Sequence, residues 1–202
     1  GCLPPLFGSY APKLRSSFDE TLDTYRQIVA EQKDHVDLLL CETMASAEEG
    51  LAAATAAAES GLPIWVSWTL QDSLDGPRLR SGETIAEAAK AIAHINTEAR
   101  LINCSKPEVI SAAMDDLIAL GGAVGAYANG FTSVGALKHG GTVDVLEARR
   151  DLGPESYADF AQDWAQKGAA IVGGCCEVGP EHIAALRDRL MANEYELTGT
   201  PQ

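Results

Sequence analysis

Short, nearly unbroken apolar runs alternate with stretches of helical periodicity along the whole sequence, and this alternation restricts the chain to βαβ units on a parallel sheet. The runs are VDLLLCET (Val36–Thr43), PIWVSWTL (Pro63–Leu70), ARLINCS (Ala99–Ser105), AVGAYAN (Ala123–Asn129) and AAIVGGCC (Ala169–Cys176). Continuous rather than alternating hydrophobicity marks strands covered on both faces. GCLPPLFGSY at the start reads as the tail of a further strand and its loop, which with the five runs makes six β/α units in 202 residues.

The intervening segments carry helix starts. Ser17 with Glu20, Ser46 with Glu49, Thr84 with Glu87 and Ser105 with Glu108 fit the capping box, in which a hydroxyl and a carboxylate three residues on satisfy two free N–H groups reciprocally. Pro107, Pro154 and Pro180 fall near first helical positions, where the missing N–H costs nothing. Phe18, Leu22, Tyr25 and Val29 recur at helical spacing and form a core-facing stripe, and the Ala-rich segment Leu51–Ala58 suits close packing on a sheet.

A closed (β/α)8 barrel needs eight units and typically ~250 residues. Six units in 202 residues have the right pitch with two absent. The expected fold is therefore α/β, a (β/α)8 TIM barrel with roughly strands 3–8 represented, forming one domain over residues 1–202 whose first two units are missing. An open doubly wound sheet is the alternative. A barrel lacking two strands also exposes two sheet edges, which favours aggregation or pairing. Neither linker composition nor low complexity divides the chain. Two looser stretches, Gln71–Gly82 with its DGP turn and the glycine-rich Gly130–Asp151, follow strands on the side where barrel active sites lie, and are candidate substrate loops.

Charge narrows the function. A formal net charge of -14 opposes nucleic-acid binding, which needs clustered Lys and Arg to displace counterions. No stretch approaches the roughly 18 consecutive apolar residues of a membrane span, and no basic, then apolar, leader stands at the start. GxGxxG and P-loop patterns are both missing, so no nucleotide-binding reading survives. The expected location is the cytoplasm.

Five cysteines, Cys2, Cys41, Cys104, Cys175 and Cys176, form an odd set in a domain large enough to stand without disulfides. Cys104 closes one apolar run, and Cys175 with Cys176 closes the last. Strand ends meet at one mouth of a barrel, so the three thiols are placed to converge. Three thiolates with an open fourth position are the pattern of a catalytic zinc site, and soft sulfur selects zinc over magnesium or calcium. By spacing alone, a buried, unreactive Cys104 and an incidental Cys-Cys pair remain possible.

LINCSKPEVI followed by IVGGCCEVGPEHIAAL resembles the two signature segments of the homocysteine S-methyltransferase family; DLLLCET, YANGF and DLGPESYADFAQDWAQKGA extend the resemblance over nearly the whole chain. The resemblance implies a (β/α)8 barrel in which Cys104, Cys175 and Cys176 bind zinc and form the catalytic centre, with the homocysteine sulfur as fourth partner. It implies that Glu42 holds the homocysteine amino group, with Asn103 as possible further support on the opposite side of its strand from Cys104. Two departures stand out. The family's first-strand Asp-Gly motif has no counterpart here, and Glu177 follows GGCC where the family commonly has glycine.

The implied reaction is methyl transfer from a small sulfonium or betaine-type donor (S-methylmethionine, S-adenosylmethionine or betaine) to zinc-bound homocysteine thiolate, giving methionine. No cobalamin or folate module fits in 202 residues. Trp65, Trp68 and Tyr127 are expected in the core, with steadying of a cationic donor as their functional alternative; Glu177 is expected in solvent. His35, His94, His139 and His182 show no paired ligand spacing, and His182 suits a capping role at the last helix. Two other readings remain: a redox protein with a vicinal Cys175–Cys176 disulfide, and a non-catalytic zinc-binding homologue.

Overall fold

The computed structural model describes residues 1–14, 16–137 and 141–199; His139 lies outside them. The elements alternate throughout: β1 (Cys2–Leu3), α1 (Phe18–Gln32), β2 (Leu39–Met44), α2 (Ala47–Ala58), β3 (Ile64–Trp68), α3 (Ile85–Ala91), β4 (Ala99–Asn103), α4 (Pro107–Ile118), β5 (Ala123–Tyr127), α5 (Pro154–Lys167), β6 (Ile171–Val172) and α6 (Pro180–Ala192). The six strands pair in parallel in the order β1-β2-β3-β4-β5-β6. This order never reverses, whereas a doubly wound sheet turns back at a switch point. The sheet also curls. Glu42 on β2 and Tyr127 on β5 are joined by a hydrogen bond of 3.0 Å, although three strand steps in a flat sheet would separate them by about 14 Å. The chain thus forms six consecutive units of a (β/α)8 barrel, two short of closure.

One face of each strand packs outward on the helices. Leu39, Cys41, Val66, Trp68, Ile102, Val124 and Ala126 belong to one buried core with the stripe Leu22, Tyr25 and Val29 of α1, with Ala52, Ala53, Ala56 and Ala57 of α2, and with residues of α4 and α5 such as Ile110 and Ala161. Alanines let α2 approach the sheet, and at Gly50 even a Cβ would meet the Trp68 indole at 2.9 Å. That close approach explains a glycine inside a helix, where it costs about 1 kcal/mol relative to alanine. The opposite faces line the barrel interior, which carries polar side chains toward the C-terminal strand ends.

Ser17–Glu20 and Thr84–Glu87 form complete capping boxes. Ser46 accepts from the Glu49 N–H, while the Glu49 carboxylate takes the N–H of Ala45 instead. The Ser105–Glu108 box does not form. Pro107 at the first helical position makes Lys106 the N-cap residue. Ser105, fully buried one residue earlier, accepts from the Leu70 N–H and donates to the Asn103 carbonyl, and Glu108 pairs with Arg149. Replacing Thr84 by alanine is expected to lower stability by about 1 kcal/mol, read by chemical denaturation, with the barrel mouth untouched.

Strands β3 to β6 end earlier than their apolar runs do. Of the residues beyond them, Cys104, Cys175 and Cys176 line the mouth, while Ser105, Ala128 and Asn129 are buried. No helix among the described residues is long and apolar enough to cross a membrane.

Candidate metal centre

Cys104 follows the last residue of β4 in a left-handed backbone conformation, φ 46°. A strand would turn neighbouring side chains to opposite faces, and this kink breaks that alternation. Asn103 and Cys104 therefore both serve the interior: Asn103 bonds to Ser67 and Thr43, and Cys104 reaches the other two thiols. The expectation that they point oppositely is corrected on this point. Backbone bonds hold the sulfur-bearing residues in place, from Cys104 N–H to the Tyr127 carbonyl, from Cys175 N–H to that of Ala128 and from Gly130 N–H to that of Cys176. The Tyr157 hydroxyl accepts from the Ala128 N–H and donates to the Gly173 carbonyl, tying the ends of β5 and β6 together.

The three sulfur atoms lie within 4.8 Å of one another. Cys175 Sγ is 2.7 Å from Cys104 Sγ, Cys104 and Cys176 are 3.7 Å apart, and Cys175 and Cys176 are 3.9 Å apart. All five cysteines are free thiols. The adjacent pair is thus directed at a third thiol rather than joined to itself. Hydrogen bonds from Cys104 and then Cys175 hold the Cys176 thiol well below the usual thiol range. Bonding to Cys104, then to Cys176, and then burial push Cys175 far above the thiol range. For Cys104, the bond from Cys175 pulls downward, but its bond to Cys176, burial and the Cys176 charge outweigh that pull and leave it at about 11. Without a cation the three sulfurs oppose one another's ionisation, because a second thiolate would repel the first.

Above the sulfurs opens a cavity of about 720 Å³, lined by Glu42, Thr43, Tyr10, Arg80 and the segments Val134–Gly135 and Thr142–Val143. Glu42 sits at its floor, accepting from Tyr127 Oη at 3.0 Å and from Cys2 Sγ at 3.5 Å. Burial, and then the Glu42 charge, raise the Cys2 thiol to about 11. Asn103 is fully buried. Its Oδ1 accepts from the Thr43 N–H at 3.1 Å and the Ser67 hydroxyl at 2.8 Å, and its Nδ2 donates to Thr43 Oγ1 at 2.7 Å. The carboxamide ties β2, β3 and β4 together directly below the mouth.

The remaining expectations sort by burial. Trp68 is fully buried in the sheet–helix layer, Trp65 is half-buried and lines a smaller cavity beside β6 and α6, and Tyr127 is committed to Glu42. Glu177 is exposed, as are His35 and His94. His182 is buried; its Nδ1 accepts from the Gly179 N–H at the start of α6, and its Nε2 lies 3.2 Å from the Leu152 carbonyl. Of the two loops, Gly130–Asp151 supplies much of the cavity wall, while Gln71–Gly82 contributes Arg80.

Sequence reasoning missed Tyr10, whose Oη lies 2.9 Å from Cys104 Sγ, and Arg80, whose guanidinium carbon is 4.8 Å from the Tyr10 ring centroid. Burial, and then the Cys104 sulfur, keep the Tyr10 phenol protonated. A lone tyrosine in a loop carries no motif; the only available signal was its place just after a strand end.

Residues 1–190 match the family profile described as Homocysteine S-methyltransferase. Homocysteine S-methyltransferase 1 of Brassica oleracea var. italica is 28% identical over 190 residues, covering 89% of this chain and 53% of that protein. Betaine-homocysteine S-methyltransferase of Drosophila melanogaster is 28% identical over 164 residues, covering 75% of this chain and 46% of its own length. The chain spans about half the length of the curated relatives it matches. Among solved structures, the homocysteine methyltransferase MmuM from Escherichia coli is similar in its apo form, with TM-score 0.70, 26% identity and coverage of 94% of this chain and 61% of that one. Its metallated form gives TM-score 0.69 and 28% identity, covering 89% and 55%.

Proposed function

This chain belongs to the homocysteine S-methyltransferase family, and from that premise we propose that Cys104, Cys175 and Cys176 hold zinc and that the mouth above them transfers a methyl group to homocysteine, giving methionine. The observation that carries this reading is the convergence of three sulfurs within 4.8 Å at the floor of an open cavity. A tetrahedral zinc ion with sulfur at ~2.3 Å sets an S···S edge of about 3.8 Å. Two of the three separations, 3.7 and 3.9 Å, fit that edge. The third, 2.7 Å, has to open by about 1 Å. A metallated relative of the same fold supports a metal here, and the all-sulfur donor set favours zinc. The unbroken span of family similarity supports reading the chain as one domain.

Bound in this seat, zinc would supply the Lewis acidity that strips the proton from a fourth, incoming thiol, whose unperturbed pKa is ~8.5. The chain's own groups do the rest. Three protein sulfurs keep the centre electron-rich. Glu42 presents a carboxylate, oriented by Tyr127 and Cys2, to the homocysteine ammonium. Asn103 serves indirectly, by fixing the strand ends on which Glu42 and Cys104 sit. The cavity holds a small sulfonium or betaine-type donor with its methyl group in line, and much of the rate comes from that orientation.

Glu42→Gln removes the charge at constant shape. A hydrogen bond to a charged group contributes about 1.5–3 kcal/mol, so the KM for homocysteine should rise roughly 10- to 150-fold with zinc content unchanged. For the reading as a whole, metal analysis should find about one zinc per chain. Incubation with homocysteine and S-methylmethionine, S-adenosylmethionine or betaine should yield methionine. A protein that takes up no thiophilic metal, or takes it up and leaves homocysteine unmethylated with all three donors, overturns the reading.

A further inference from the structure

We propose that Tyr10 is the positioning residue of the Cys104 sulfur, and that an Asp72–Arg80 clamp from a different loop holds it there; the inference rests on the metal reading above. Tyr10 lies in the loop after β1, yet its hydroxyl reaches across the barrel to within 2.9 Å of Cys104 Sγ at the end of β4. Its backbone is in the left-handed region, φ 68°. A non-glycine residue keeps that conformation only where its surroundings over-determine it.

The surroundings do so. The Arg80 guanidinium lies over the Tyr10 ring face at 4.8 Å, within the range of a cation–π contact. Arg80 Nη2 donates to Asp72 Oδ1 at 3.0 Å, and the two side chains are only 10% and 20% exposed. The second oxygen of Asp72 accepts from the Ser133 hydroxyl at 2.9 Å and the Val134 N–H at 3.2 Å. Burial alone would raise Asp72; Arg80, with these donors, more than offsets it and keeps the carboxylate charged. Loops after β1, β3 and β5 are thereby locked onto one sulfur of β4.

The chemistry follows from the donor. With Cys104 bound to a metal its sulfur has no proton, so Tyr10 donates. That bond fixes the sulfur's orientation and draws charge from it, as partners of metal ligands commonly do. Arg80 covers the ring face and prevents the hydroxyl from swinging away.

Tyr10→Phe keeps the ring, and with it the contact to Arg80, and removes only the donor. In competition with a chromophoric chelator its zinc affinity should fall about 10- to 100-fold, and the sulfur-to-cobalt charge-transfer band of the Co(II)-substituted protein should shift, a change that loosened packing alone would not give. Arg80→Met should act in the same direction and add little in the Tyr10→Phe background, because both changes break one unit. Arg80→Lys should not restore affinity, since an ammonium lacks the planar face that stacks. Arg80→Met also serves as an independent test should Tyr10→Phe fold poorly. Wild-type affinity with an unshifted band in Tyr10→Phe, or fully additive losses, overturns the inference while leaving the metal reading intact. A wild-type protein that takes up no cobalt or zinc overturns both.

Discussion

Cys104→Ser is expected to abolish methyl transfer, lowering the rate by at least about a thousandfold, together with loss of stoichiometric zinc. Serine preserves shape and burial but offers a hard hydroxyl with a far higher pKa, so the soft three-sulfur set becomes two sulfurs and a poor third donor. A loss of about 4 kcal/mol in stabilisation of the transferring state corresponds to a factor of ~10³, and removal of a metal seat exceeds that. Chelation of the wild-type protein should reproduce the defect and added zinc should reverse it. The charge on the trio adds a second reading of the same event. Hydrogen bonding favours the thiolate at Cys176 and the thiol at Cys175 and Cys104. Zinc uptake at neutral pH should therefore release protons, measurable by calorimetry in buffers of different ionisation enthalpy. Affinity should consequently weaken as pH falls, because protons compete for the same sulfurs. Full activity in Cys104→Ser would show that the sulfur cluster is not the reacting centre.

Asn103→Leu is expected to be the most destabilising polar substitution in the barrel. Asn103 is fully buried, and three hydrogen bonds to Thr43 and Ser67 depend on its carboxamide. An orphaned buried N–H such as that of Thr43 costs about 1–3 kcal/mol, and with both hydroxyls also deprived the total is roughly 3–5 kcal/mol. For a chain of this size that lowers Tm by about 6–20 °C. Activity should fall along with stability, because Glu42 and Thr43 on one side and Cys104 on the other lose their common anchor. Had Asn103 instead served as a direct homocysteine contact, the variant would raise KM and leave the unfolding transition in place. A melting temperature equal to wild type with only KM altered would therefore reverse the assignment of Asn103 as a positioning residue.

The architecture was legible because its signals are local. Apolar runs of strand length, a hydroxyl three residues before a glutamate and a proline at a first helical position each act through groups a few residues apart. Where a local pattern failed, a tertiary partner had taken the group. At Ser105 the buried Leu70 N–H claimed the hydroxyl that would have capped α4. Glu49 shows a milder case, its carboxylate turned to Ala45 rather than Ser46. The ends of β3 to β6 were overread for a related reason, since the apolar runs continue past the last strand residue into the turns beneath the mouth.

The alternation of strand and helix, the number of units, and the family signature that joins Asn103-Cys104 to Gly173–Cys176 are all written in the order of residues. Which atoms meet at the centre emerges with the folded barrel. The curl of the sheet brings Glu42 to Tyr127 and Tyr10 to Cys104 across several strands. Left-handed backbone at Tyr10, Thr43, Cys104 and Glu177 turns the chain at the mouth without a glycine to announce it. Distances between the ends of non-neighbouring strands depend on how far the whole sheet bends. No window of neighbouring residues contains that quantity.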